Sequence, residues 1–537
     1  MPSGGPGVGG RGSGTLAVWL VLPGVLLGQG QVLTFRAVDG SEQPYAVYAP
    51  KIESGKTYSL VISLHMEQST HRINLRQVLG GDQVRPMAHP DAVVVSPLAR
   101  GTMGYAGIAE RDVYDVVADA ERRFPIDPDR VYLTGISMGG AGALRLALTR
   151  PDFWAAVAAV CPTPDLEIDA LSGNALNLPV RIYAGDQDPL VPVALTRGWQ
   201  RRLVDAGAPA EYLEFPGVRH NVWVLAYREG AVFDWFSQFR RKRAPERVRL
   251  TAGAHRYGSA YWVRIDGMTP GTAATIDATR KGAAEVTVET RNVDGFTLTI
   301  PELGRPGGLP HITIDGAVVR VKPAAVLSFE KLAGHWRAGL LRAGGKRAGA
   351  EGPMAVAVSG RQVYVYGSGG APTAEELGVR RKVAEQVAAW AEPGTPLGVT
   401  LPVKADTEVT ADELAHADLM LFGTRETNRL IARFVAALPM ELNLGAADYG
   451  LLFVAPEGGR YLLVSSGLPW WNGRTTDRSG GWPFAPPQLR LLSTFGDYIL
   501  FKGSLGNVVA EGRFDREWKL PPDAREKIAA SGTVTIH

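Results

Sequence analysis

A strand runs straight into a helix at Asp129-Arg-Val-Tyr-Leu-Thr-Gly135-Ile-Ser137-Met-Gly139-Gly140, and the join is Gly-x-Ser-x-Gly. So tight a turn strains the backbone of the central serine, and side chains two residues to either side would clash, which is why glycine stands at both places. The turn lifts Ser137 Oγ above the strand end and aims the Met138 amide at the same space. The helix that begins there adds the positive end of its dipole. The pattern occurs once in the chain. A strand–turn–helix unit of this kind belongs to a mostly parallel sheet covered by helices, so the flanking sequence must alternate apolar runs with amphipathic ones.

It does. Val32–Arg36, Tyr45–Ala49, Tyr58–Leu64, Ala92–Ser96, Arg130–Leu133, Ala155–Val160, Val180–Ala184 and Glu211–Phe215 read as strands. Helical periodicity fills Glu110–Phe124, Met138–Thr149, Val193–Ala206 and Val224–Arg240. The short polar turn between the first two strands predicts an antiparallel start to the sheet. At 537 residues, 45% hydrophobic and 21% charged, the chain has the composition of folded protein, and ~150 residues per domain implies about three domains. We expect a catalytic α/β domain over 31–245, a β-rich unit over 246–325 (strands Ala260–Ile265, Ala284–Glu289, Gly295–Ile300, His311–Ile314), and a smaller α/β unit over 326–537. In the last, strands are expected at Val363–Tyr366, Gly398–Leu401, Leu419–Phe422, Tyr449–Val454 and Tyr461–Ser465, with helices at Thr373–Ala391 and Glu426–Leu438.

A serine on such a turn needs a base and an acid. Val180-Arg-Ile-Tyr-Ala-Gly-Asp186-Gln-Asp188-Pro is a strand ending in an acidic turn, and Glu211-Tyr-Leu-Glu-Phe-Pro-Gly-Val-Arg-His220 is a strand delivering a histidine. In the order Ser137, Asp188, His220, the imidazole takes the serine proton and returns it to the leaving group, while the carboxylate fixes the tautomer and stabilises the imidazolium. Asp186 is the rival acid. The strand Tyr58–Leu64 closes on His65-Met66. In this architecture the loop there supplies a second oxyanion amide, here Met66 N–H beside Met138 N–H. His65 is expected to order that loop, and both His65 and Tyr105, the latter in the long loop after the fourth strand, are candidates to line the acyl pocket.

Residues 31–243 resemble the α/β-hydrolase superfamily, and within it the prolyl-oligopeptidase-like and polyhydroxybutyrate-depolymerase- and feruloyl-esterase-like bacterial serine hydrolases. Arg100-Gly-Thr-Met-Gly-Tyr105-Ala-Gly-Ile-Ala-Glu110-Arg-Asp112-Val, Ile126-Asp-Pro-Asp-Arg130-Val-Tyr, Gly135-Ile-Ser-Met-Gly-Gly140 and Gly185-Asp-Gln-Asp188-Pro-Leu-Val-Pro192 carry the resemblance. It implies nucleophile Ser137, acid Asp188 and base His220. Two positions depart from the family pattern: Met66 stands where glycine usually follows the histidine, and Ala184 where a histidine usually precedes the acid turn. Neither is a triad member. Many relatives carry further β and α/β units behind the catalytic one, as 247–537 does.

The remaining features bound the reading. Glu110 and Asp112 complement the dipole of the helix they open. Gly367-Ser-Gly-Gly370 precedes a helix but lacks the lysine and hydroxyl of a phosphate loop. Trp470-Trp471 and Trp482-Pro-Phe484 read as packing between domains. The basic run Arg240–Arg249 reads as a solvated helix end and linker. A net charge of +3, from 57 Lys and Arg against 54 Asp and Glu, argues against nucleic-acid or anionic-membrane partners. Cys161, the single cysteine, excludes an internal disulfide and a multi-cysteine metal site, and reads as a buried strand residue. Residues 1–30, with Arg11 ahead of an apolar run Thr15–Leu27 and then Gly28-Gln-Gly30, read as a secretory signal peptide, too short to span a membrane. The expectation is a secreted or periplasmic serine esterase acting on a small or polymer-borne ester, without metal or cofactor. The alternatives are a peptidase with the same triad and a non-catalytic envelope- or carbohydrate-binding protein on a hydrolase shell.

Overall fold

A computed structural model describes residues 30–81, 91–165, 167–282, 284–305, 310–340, 344–389, 398–399, 401–472 and 481–537. The expected signal peptide lies outside them, apart from Gly30.

The first unit is an eight-stranded sheet. Its strands are β1 (Gln31–Arg36), β2 (Glu42–Tyr48), β3 (Tyr58–Leu64), β4 (Ala92–Pro97), β5 (Ile126–Ile136), β6 (Ala156–Val160), β7 (Val180–Gly185) and β8 (Ala210–Phe215), in the order β1-β2-β4-β3-β5-β6-β7-β8. The β1–β2 and β2–β4 pairs are antiparallel and the rest parallel. Helices α1 (His71–Val78), α2 (Ile108–Arg123), α3 (Met138–Thr149) and α4 (Val193–Asp205) connect them. Strands β3, β4 and β6 are buried along their whole length, as parallel strands between helical layers must be. The order reverses around β3, and the carboxyl ends of strands at such a switch point leave a crevice. The helix expected over Val224–Arg240 is instead broken into α5 (Trp223–Ala226), a 3-10 turn and α6 (Ala231–Phe236), because Glu229 and Gly230 adopt φ of 51° and 84°. That left-handed pair ends one helix and starts another.

The second unit is a sandwich of two five-stranded sheets. One orders Ser259–Ala260, Val263–Met268, Val293–Thr299, Val326–Leu332 and His335–Ala338; the other orders Ala317–Val319, His311–Ile314, Glu285–Arg291, Ala274–Lys281 and Arg247–Ala252. Alternating residues such as Val248, Leu250, Ile276, Val286, Val288, Phe296 and Phe329 fill the space between. The sandwich therefore runs past the expected boundary at 325. Val326–Leu332 pairs along Val293–Thr299 and turns Leu327 and Phe329 inward. The proline-containing segment before it is a connection within the unit.

The third unit holds a seven-stranded sheet ordered Val403–Ala405, Gln362–Tyr366, Asp418–Phe422, Arg460–Gly467, Tyr449–Glu457, Tyr498–Lys502 and Val508–Gly512. Of the expected strand at 398–401, Thr400 lies outside the described residues and the other three join no ladder; Val403–Ala405 forms the edge strand instead. Gly398 has φ of 52°, and its carbonyl accepts from Arg100 and Gln43 of the first unit rather than joining a ladder. The helix after Glu426 starts at Arg429, where the Asn428 side chain caps Leu430 and Ile431 N–H. One apolar cluster joins the first and third units, with Met103, Tyr105 and Ile108 in the same core as Met354, Trp470, Trp482 and Leu489. The five arginines of the basic run are paired: Arg240 with Asp127, Arg241 and Arg243 with Asp129, Arg247 and Arg249 with Asp277.

Candidate active site

Ser137 sits at the carboxyl end of β5 with φ 57° and ψ −114°, the strained turn its glycines permit. A Cβ on Gly135 would overlap the Gly139 carbonyl, and one on Gly139 would overlap the carbonyl of Leu64. The first turn of α3 can therefore press against the end of β3, and Ser137 N–H donates to Val160 O at 2.8 Å. Side-chain freedom is spent here to bring two strand ends and a helix start into contact.

The structure brings the three sequence-predicted partners together. His220 Nε2 lies 3.0 Å from Ser137 Oγ, and His220 Nδ1 lies 2.7 Å from Asp188 Oδ2. The other carboxylate oxygen of Asp188 accepts from Leu190 N–H at 2.8 Å and Val191 N–H at 2.9 Å, so the acid is held from both sides. With Nδ1–H donating to Asp188, Nε2 presents its lone pair to the Ser137 hydroxyl. Asp186, the rival acid, accepts instead from Gly217 N–H at 2.7 Å and ties down the loop that carries His220. Gly185 gives that loop room, since a Cβ there would lie 2.5 Å from Arg219 O. Trp223 stands edge-on to His220, with ring centroids 6.0 Å apart. The sequence reading missed it, although it follows the histidine by three residues.

Met138 is the first residue of α3, and its N–H has no partner within the helix. Met66 lies two residues past the end of β3, and its side chain joins the partly buried apolar fringe that includes Trp223 and Val218. Two expectations are corrected. His65 and Tyr105 are fully buried, so neither lines an acyl pocket. His65 does order its loop: Nδ1 lies 2.8 Å from Met66 O and Nε2 2.9 Å from Leu98 O, and burial holds its pKa below the usual histidine value. The Tyr105 hydroxyl donates to His65 O at 2.9 Å, and burial raises its pKa well above the usual tyrosine value. Glu110 and Asp112 do more than face the helix dipole. Glu110 accepts from Tyr257 of the sandwich at 2.5 Å, and Asp112 pairs with buried Arg100.

Cys161 follows β6, buried and with φ of 39°, its thiol 3.5 Å from His220 O. Its sulfur lies within 4.8 Å of ligand atoms of Asp188 and His220. That trio suits a metal poorly, because Asp188 and His220 already bond each other and burial pushes the thiol pKa up, against the thiolate a metal binds. At Gly367–Gly370 the space expected of a phosphate loop is used by Arg380, which donates to Gly367 O and Gly369 O. Trp470 and Trp482 are buried in the shared core, as the packing reading expects.

Strand order, crossover helices and the placement of these groups at the carboxyl ends of β3, β5, β7 and β8 define an α/β-hydrolase fold. Residues 103–229 match the model of the Dienelactone hydrolase family, and the chain thus carries a domain of that hydrolase family. It is 42% identical over 85 residues to the protein named "Putative esterase NocK" of Nocardia uniformis subsp. tsuyamanensis, a match covering 15% of this chain and 23% of that protein. It is 32% identical over 103 residues to Cutinase 1 of Thermobifida cellulosilytica, covering 19% and 37%. The chain therefore spans well under half the length of these relatives. Among solved structures, a thermostable esterase aligns with TM-score 0.35 and 23% identity, over 40% of this chain and 63% of that one.

Proposed function

We propose that this protein is an exported serine hydrolase that cleaves carboxylic esters through an acyl-Ser137 intermediate. The observation that carries the reading is the continuous hydrogen-bonded line Asp188–His220–Ser137, at 2.7 and 3.0 Å, ending on a strained serine. In acylation Ser137 Oγ attacks the ester carbonyl as its proton passes to His220 Nε2, and Asp188 stabilises the imidazolium. The oxyanion forms against Met138 and Met66 N–H. A donor of this kind is worth about 3 kcal/mol of barrier. The tetrahedral intermediate collapses with breakage of the alkoxy C–O bond, and His220 hands its proton to the departing alcohol. Water then attacks the acyl carbon with His220 as base, and Ser137 Oγ leaves with the proton. The names esterase and cutinase borne by the relatives support an ester as the substrate bond. The leader-like residues 1–30 support export, and among the described residues no helix is long and apolar enough to cross a membrane.

Fluorophosphonate labelling of the purified protein, read by intact mass, tests this. We expect one adduct on the wild type and none on Ser137→Ala. An unlabelled wild type would overturn the assignment of Ser137 as nucleophile.

A further inference from the structure

The segment between Leu98 and Gly107 is the most strained in the hydrolase unit. Ala99, Arg100, Gly101, Gly104, Tyr105 and Gly107 have φ values of 43°, 60°, 64°, 66°, 59° and 60°. Three of these residues carry side chains that disfavour left-handed backbone, which persists only where the surroundings over-determine it. Part of the support is internal: buried Arg100 donates to both Asp39 and Asp112. The rest comes from the third unit. Arg100 Nη1 donates to Gly398 O at 3.1 Å. The Phe484 ring covers Gly104, where a Cβ would lie 2.9 Å away, and the Trp482 ring covers Gly107, where it would lie 2.5 Å away.

This segment reaches the reacting centre through one peptide group. The Tyr105 hydroxyl donates to His65 O at 2.9 Å, and the same peptide unit carries the N–H of Met66. A trans peptide is planar, with its carbonyl and N–H pointing in opposite directions. A bond to the carbonyl therefore sets the direction of the N–H, and polarises it as a donor. The Tyr105 ring is itself locked, since it fills the space that a side chain at Gly142 of α3 would take.

We infer that Tyr105 is a positioning residue for the oxyanion site, and that the third unit, through Trp482, Phe484 and Gly398, is the part that holds it in place. The inference rests on the reading of Met66 N–H as an oxyanion donor proposed above. It gives the third unit a task in the reaction although that unit contributes no triad residue.

The test uses the full chain with p-nitrophenyl acetate. Tyr105→Phe removes one oxygen and keeps the packed ring. Since deleting an oxyanion donor costs about 10²–10³-fold in kcat, releasing one without deleting it is expected to cost about 10- to 100-fold. KM and the pH profile stay unchanged, because Asp188 and His220 are untouched. Trp482→Ala combined with Phe484→Ala is expected to lower kcat in the same direction and to slow fluorophosphonate labelling of Ser137 in step, with Trp482→Phe restoring both. A merely structural role would lower Tm and leave kcat intact well below it. Wild-type kcat in folded Tyr105→Phe overturns the inference. Wild-type kcat in the folded double variant overturns the part assigned to the third unit, and Phe484→Leu alone decides that point if the double variant is insoluble. An unlabelled wild-type Ser137 would instead sink the parent reading.

Discussion

The first and third units each contain a strand that enters a helix through a turn of glycine and serine, and they use it in opposite ways. At Gly135-Ile-Ser137-Met-Gly139 the serine is held in a left-handed conformation, its hydroxyl meets a histidine from another strand, and the Met138 N–H has no partner within its helix. At Gly367-Ser368-Gly369-Gly370 the polar groups answer one another. Ser368 donates to Asp406 at 2.5 Å, the other oxygen of Asp406 accepts from Arg429 N–H at 2.7 Å, and Gly369 N–H donates to Thr427 O at 2.8 Å. Asn428 closes the ends of the neighbouring strands by donating to Val365 O and Phe422 O. Similar residues on similar topology thus yield a poised site in one place and a sealed edge in the other. The difference lies in where donors and backbone strain are left unspent.

Three substitutions can break or sharpen that contrast. The largest effect is expected from Asp188→Asn, which keeps the shape but supports the wrong histidine tautomer: kcat should fall by about 10⁴-fold. Steady-state kinetics on a small ester would check it, and a loss of only a few-fold would mean that Asp188 does not serve His220. Asp406→Ala should do the reverse, leaving kcat within about two-fold while lowering stability by about 1 kcal/mol, the net worth of the hydrogen bonds that Ser368 and Arg429 lose. Urea unfolding beside kinetics reads both, and a large loss of activity would show the third unit's edge to be functional after all. The smallest effect concerns Asp418, on a strand of the third unit. Burial raises its pKa from 3.8 to about 7, so the folded state holds the proton more tightly than the unfolded one across that window. The stability this contributes is present at low pH and is lost as pH rises toward 7. Asp418→Asn should therefore raise Tm at pH 8 relative to the wild type and change it little at pH 4. Equal shifts at both pH values would refute the assignment.

How much was legible in the sequence follows the range of the interactions. The first sheet and its chemistry are local in character: each candidate residue stands at a strand end, and Ser137, Asp188 and His220 need only the parallel order of their strands to meet. Asp186 and Asp188 could be separated only by seeing that Gly217 N–H lies within reach of one and the imidazole within reach of the other. Tyr105 stands away from the expected pocket because its ring packs on Gly142 of α3 and its hydroxyl reaches His65 O, and neither contact is revealed by its sequence neighbours. Gly398–Leu401 was misread because a residue 298 positions away takes the Gly398 carbonyl. The sandwich boundary was set too early because a proline marks a turn without saying whether the next strand returns to the same sheet.

The glycines around Ser137 have a consequence for how this chain can change. At Gly135 and Gly139 an added methyl group would collide with main-chain carbonyls, and at Gly142 with the Tyr105 ring. No side-chain rotation relieves the first two collisions, so mutation is barred from the turn itself. Diversification is channelled outward to the rim formed by the segments after β7 and β8, where Leu190 is 70% and Val224 44% exposed. A lineage descended from this chain could exchange one substrate for another along that rim many times over while the turn beneath stayed the same.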